Sequence, residues 1–211
     1  QWVNYFAHTG HLHIKGLKMS KSLKNFITIR ESLECYSARV VRIMFLMVGW
    51  NKPMEYSDHT LEAAKAREAK FNAFFGSVKN LLRAAKDEAV PRSQAWKKPE
   101  YELSEKTLKV QANVRECLCD DFNYPGAMGE LSELMTDVNK YISDVGEDKA
   151  IPVVVSKAAG FITKMLRIFG VVETEEIGMG GTSGSASAEE AVAPVMDAFA
   201  EFREIVRKEA M

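Results

Sequence analysis

Between Thr28 and Phe169 apolar side chains return every three or four residues, a spacing that only α-helices gather onto one face. Leu33, Val40, Ile43, Met44 and Met47 form one such stripe, with Arg39 and Arg42 off it, and Gly49 to Pro53 stops that helix. A longer stripe runs from Asp58, its expected N-cap, to about Lys86 through Leu61, Ala64, Phe71, Phe74, Phe75, Val78 and Leu82, interleaved with Lys65, Arg67, Lys70 and Lys79. Residues 87 to 102, with two prolines, read as a connection. A third helix is expected over Ser104–Cys119 on Leu108, Val110, Val114 and Leu118. Asp120-Asp121-Phe122-Asn123-Tyr124-Pro125 interrupts it, because the backbone before a proline resists the helical region. There Asn123 caps the next helix and Pro125 occupies its first turn. That fourth helix packs on Met128, Leu131, Leu134, Met135, Val138, Tyr141 and Ile142. A fifth packs on Val155, Ala158, Ile162, Met165, Leu166 and Phe169, and Gly170 ends it.

Only the first residues depart from this period. Trp2–Phe6 looks like a strand, His8-Thr9-Gly10 like a turn, and His11–Ile14 like a second alternating run broken by Lys15-Gly16; together they resemble a hairpin leading into a loop, Lys18–Asn25. Thr28, three residues before Glu31, matches a capping box opening the first helix. At the other end Gly178–Ser187 has almost no side-chain bulk and reads as a flexible linker, and Ala188–Met211 as a last helix on Val192, Val195, Phe199, Phe202 and Val206.

Composition limits the partners. A net charge of -1 excludes a uniformly basic surface, so any RNA site must be a patch. Cys35, Cys117 and Cys119 form no disulfide framework, and Cys-x-Cys lacks the further ligands a zinc site needs, which points to free thiols in a reducing, cytoplasmic setting. His11 and His13 would share a strand face, but no cysteine or carboxylate lies near enough in sequence to complete a metal site; no metal ligand is expected in this chain. No apolar run is long enough to cross a bilayer, and the first residues lack the pattern of a signal peptide.

The chemistry concentrates in Lys18-Met19-Ser20-Lys21-Ser22. Two ammonium groups three residues apart, separated by small hydroxyl residues and followed by Lys24, form a cationic loop whose short side chains let the backbone approach a polyanion such as a triphosphate. When a carboxylate attacks an α-phosphate, charge builds on the departing pyrophosphate, and a lysine placed there stabilises that charge. The same string also fits a solvated basic turn on a non-catalytic helical RNA-binding or scaffolding module.

The string is the KMSKS signature without a substitution, and its surroundings resemble cysteinyl-tRNA synthetases of class I, closest to the cytosolic eukaryotic form. The flanks Gln1–Gly10 and Leu23–Phe26 carry the resemblance, with Ser37–Arg42, Met54–Ser57, Asp120–Ala127 and Phe202–Arg207. The resemblance implies a mainly α chain: a short hairpin and KMSKS loop ending a class I catalytic domain (residues 1–56), then a DALR-type anticodon-binding bundle (57–173), a linker (174–188) and a C-terminal helix (189–211). It implies ATP with Mg2+, cysteine and tRNA(Cys) as substrates, with cysteinyl-adenylate formed first and cysteine then passed to tRNA. Lys18 and Lys21 would be catalytic, and Lys18, Met19, Ser20, Lys21 and Ser22 would bind ATP. Arg39, Arg42, Lys65, Arg67 and Lys70 are the candidate tRNA contacts; Lys79, Arg83, Trp50 and Trp96 are further ones. The family's HIGH signature and Zn2+ ligands are absent from these residues, and the chain starts without methionine, so an inactive piece of a longer ligase is expected.

Overall fold

A computed structural model describes residues 2–87, 95–180, 198–199 and 202–203. Residues 180–211 separate from 1–179 as a second unit, of which 198–199 and 202–203 are helical, with Phe199 and Phe202 exposed. Most of the expected linker and last helix lies outside the described residues.

The expected strand at Trp2–Phe6 does not form: Trp2, Tyr5 and Phe6 stand exposed, and this segment pairs with no strand among the described residues. The hairpin sits one step later, between β1 (Leu12–Ile14) and β2 (Leu17–Lys18), antiparallel with His13 opposite Lys18 and Ile14 opposite Leu17. Lys15 (φ 52) and Gly16 (φ 73) both take the left-handed conformation a two-residue hairpin turn demands. A third strand, β3 (Met54–Tyr56), pairs parallel to β1 on its other edge, giving the order β2-β1-β3. Parallel neighbours need a crossover, and the helical stretch between them supplies it.

That stretch is two helices rather than one. The Thr28 capping box forms as expected and starts α1 (Ile29–Cys35): Thr28 Oγ1 accepts from the Glu31 amide at 3.2 Å, and Glu31 Oε2 accepts from the Thr28 amide at 2.8 Å. Ser37, extended at ψ 150 and accepting from the Val40 amide, breaks the run and caps α2 (Ala38–Leu46). Leu33 therefore leaves the expected stripe and is exposed, while Val40, Ile43 and Met44 enter the core.

The long α3 (Asp58–Asp87) forms, but its cap is Ser57, whose hydroxyl accepts from the Thr60 amide; Asp58 is already helical. The next helix, α4 (Lys98–Cys119), starts six residues before the expected Ser104. It buries Leu103, Thr107, Val110 and Val114, and Leu108 faces out at 63% exposure. Thr107 can be buried because its hydroxyl donates to the Leu103 carbonyl at 2.8 Å. Asn123 caps α5 (Tyr124–Val145) by accepting from the Gly126 amide, and all seven expected apolar positions of that helix are buried. Lys106 with Asp137, Asn113 with Glu130 and Glu100 with Tyr141 bridge α4 and α5, and this reversed order of partners makes the pair antiparallel. Finally α6 (Pro152–Ile168) closes the bundle. Gly170 (φ 69) and the Val171 amide bonded to the Leu166 carbonyl form its C-terminal stop.

One apolar core runs through α2 to α6, with Ile43, Leu61, Met128, Leu131, Leu134, Ile162 and Leu166 fully enclosed. At roughly 1.5–3 kcal/mol per large side chain, this burial is the main force holding the crossover to the bundle. Residues 174–179, expected within the linker, are part of the packing: Met179 is buried and the Gly178 amide donates to Thr163 Oγ1 at 3.2 Å.

Candidate functional site

At the end of β2 the chain leaves the sheet and turns. The Met19 amide makes the last ladder bond, to the Leu12 carbonyl at 2.8 Å. Its half-buried side chain lines an apolar groove of about 90 Å³ with Leu12, Ile14, Ile27, Val41 and Tyr56. Met19 is thus the anchor of the loop. Beyond it Ser20 Oγ accepts from the Leu23 amide and meets Ser22 Oγ at 3.2 Å, the Lys24 amide bonds the Lys21 carbonyl, and Lys24 takes φ 51. Asn25 closes the turn: its Oδ1 accepts from the Ser20 amide at 3.0 Å and its Nδ2 donates to the Lys18 carbonyl at 3.2 Å. The sequence placed Asn25 at the end of the loop without a role for it; the signal available was an amide side chain closing a loop with no regular partner for its backbone.

The result is a short, pinned turn with Lys18, Lys21 and Lys24 all exposed, and among the described residues none of their ammonium groups is bonded to a protein acceptor. Three unneutralised cations on one turn attract an anion of several charges. Of the three nearby histidines only His13 lies in a strand, and no group of three or more His, Cys, Asp or Glu capable of holding a metal occurs among the described residues.

The candidate RNA contacts separate. Arg39 is turned inward: its guanidinium donates to the Val171 carbonyl at 3.2 Å and the Met179 carbonyl at 2.8 Å and pairs with Glu68 at 3.6 Å, so it ties α2 to α3 and to the segment after α6. Those donors are committed within the fold. Arg42 is exposed, and its guanidinium passes so close to Gly170 that a β-carbon there would meet Nη1 at 2.7 Å. Lys65 is exposed, bonded to Glu62 at 2.8 Å and 4.8 Å above the Tyr36 ring; Arg67 is half-buried, and Lys70, Lys79 and Arg83 are exposed. The aromatic candidates are engaged within the fold. Trp50 Nε1 donates to the Asp121 carbonyl at 2.7 Å, and Trp96 packs edge-on against Tyr101 beneath Lys157.

Residues 1–66 match the family model for the class I (C) tRNA synthetase catalytic domain, and residues 113–173 match the DALR domain. Cytoplasmic cysteine–tRNA ligases are similar over nearly the whole chain: that of Xenopus tropicalis is 40% identical over 98% of this chain, and that of Dictyostelium discoideum 37% over 100%. The chain belongs to the cysteinyl-tRNA synthetase family. It spans 28% of the length of the Xenopus relative and 32% of the Dictyostelium one. Among solved structures, Agrobacterium radiobacter K84 agnB2 LeuRS in a ternary complex with tRNA and LeuAMS shares the fold at a TM-score of 0.63 and 17% identity, over 76% of this chain and 20% of that one. Within the cysteinyl-tRNA synthetase family, the catalytic-domain match holds the KMSKS loop and all three strands, and the DALR match holds α5, α6 and the end of α4.

Proposed function

We propose that this chain supplies the ATP-activating loop and the tRNA-holding bundle of a cytoplasmic cysteine–tRNA ligase, which joins cysteine to ATP as cysteinyl-adenylate and then transfers it to tRNA(Cys). The observation that carries this reading is the pinned turn with three exposed, unneutralised lysines, in a chain of this family. A cytoplasmic setting goes with the relatives' names, and no described helix is long and apolar enough to cross a membrane.

In the proposed mechanism Lys21 contacts the phosphates of ATP, with Lys18 at the pyrophosphate. As the cysteine carboxylate attacks the α-phosphate, charge moves onto the leaving pyrophosphate, and these ammonium groups stabilise the transition state more than the ground state. Met19 anchors the loop, while the Ser20 and Ser22 hydroxyls stand where phosphate oxygens approach. Mg2+ would accompany ATP as part of that substrate. The family's Zn2+ would be held by residues outside this chain; among the described residues no group of three or more His, Cys, Asp or Glu could hold it. For RNA, Arg42, Lys65, Arg67 and Lys70 remain as cations for phosphates.

Cysteine-dependent ATP–pyrophosphate exchange by the complete ligase tests the reading. Lys21→Ala is expected to slow exchange by about 10²–10³-fold, the cost of losing one oxyanion-type contact. Unchanged exchange contradicts it.

A further inference from the structure

We infer that Asn25 is a positioning residue for the phosphate-facing lysines, its carboxamide replacing the strand neighbour that the loop lacks. The inference rests on the reading of Lys18 and Lys21 given above. β2 is the edge strand of the sheet and the Met19 amide already bonds β1, so the Lys18 carbonyl and the Ser20 amide, on either side of Met19, face away from β1 and have no ladder partner. The Asn25 side chain bonds both, accepting from Ser20 at 3.0 Å and donating to Lys18 at 3.2 Å, as a peptide group on an adjacent strand would. A carboxamide is the short side chain that holds a donor and an acceptor in one plane; a carboxylate of the same shape has no donor. Lys24, left-handed at φ 51, turns the chain so that Asn25 comes back to the neck of the loop.

With the neck closed, the backbone at Lys18 and Ser20 is fixed, and the turn carrying Lys21 is held on both sides. Asn25 touches no phosphate in this account; it acts through the lysines. A group that only orients charges toward a developing anion affects the transition state more than the bound ATP, so its loss appears in kcat rather than KM.

The test is ATP–pyrophosphate exchange by the complete ligase carrying Asn25→Ala or Asn25→Asp, alone and with Lys21→Ala. Each single Asn25 variant is expected to lower kcat by about 10–100-fold, the scale of misplacing a reacting group by roughly 1 Å, with the KM for ATP within about 3-fold. In the Lys21→Ala background Asn25→Ala is expected to cost less than it does alone, because one of the two lysines it orients is gone. Asn25→Asp keeps the shape and one bond, so an equal loss there in an enzyme of unchanged melting temperature excludes misfolding. Full activity of Asn25→Ala beside a crippled Lys21→Ala overturns this inference and leaves the loop reading standing, as does an undiminished effect in the Lys21→Ala background. A fully active Lys21→Ala overturns the loop reading itself.

Discussion

Arg39 Nη2 donates to the Met179 carbonyl at 2.8 Å across 140 residues of chain, with Glu68 of α3 paired to the same guanidinium. One side chain beside the loop module thus binds the last segment of the bundle. Arg39→Ala is expected to lower unfolding free energy by about 2–4 kcal/mol, because it strands Glu68 and two carbonyls in a poorly hydrated place. Chemical denaturation measures it.

Lys70 makes the contrast, being exposed on α3. Lys70→Ala is expected to leave stability within about 0.5 kcal/mol and, if Lys70 meets a tRNA phosphate, to reduce the slope of log affinity against log salt by about 1. A salt titration of tRNA binding by the complete ligase reads this directly.

Gly10 donates its amide to the Trp50 carbonyl at 2.8 Å, and a β-carbon on it would stand 1.8 Å from the Lys52 carbonyl oxygen. Backbone cannot yield as a side-chain tip can. Gly10→Ala is therefore expected to break this contact and expose the segment before β1 to limited proteolysis, whereas Gly129→Ala, with nothing within 4 Å, leaves the digestion pattern unchanged.

Tyr141 is buried, donating to Glu100 at 2.8 Å and accepting from the Ile151 amide at 2.9 Å. Burial pushes its phenol up to about 12. The folded state thus favours the neutral phenol: this contribution to stability is complete below the unfolded value near 10 and is lost as pH rises from there through about 12. Tyr141→Phe is expected to cost about 2–3 kcal/mol at neutral pH by leaving Glu100 and the Ile151 amide short of a partner. Its stability is also expected to fall less steeply over that alkaline window, which urea denaturation at several pH values checks.

Helix periodicity made α5 and α6 legible almost residue by residue, because their buried faces are apolar apart from Thr163. It failed where a polar residue does an apolar one's job or a hydroxyl stops a helix. Thr107 is buried on α4 in place of Leu108, and Ser37 divides an apparently continuous stripe by capping a second helix. β3 is three residues long and paired to a strand some forty residues earlier, so local pattern carried no trace of it. That the loop is a turn of exposed lysines could be read from their spacing. The commitment of Arg39 could not, since its acceptors are the carbonyls of Val171, just past the helix stop at Gly170, and of Met179, inside the expected linker.

The most direct test of the central claim compares two rates of damage in the complete ligase. With Lys18 and Lys21 both changed to Ala, single-turnover adenylate formation is expected to fall by at least about 10²–10³-fold, while tRNA affinity at physiological salt falls by no more than about 10-fold. Equal losses in the two measurements, or adenylate formation at the parent rate, would contradict the assignment of these lysines to the leaving pyrophosphate.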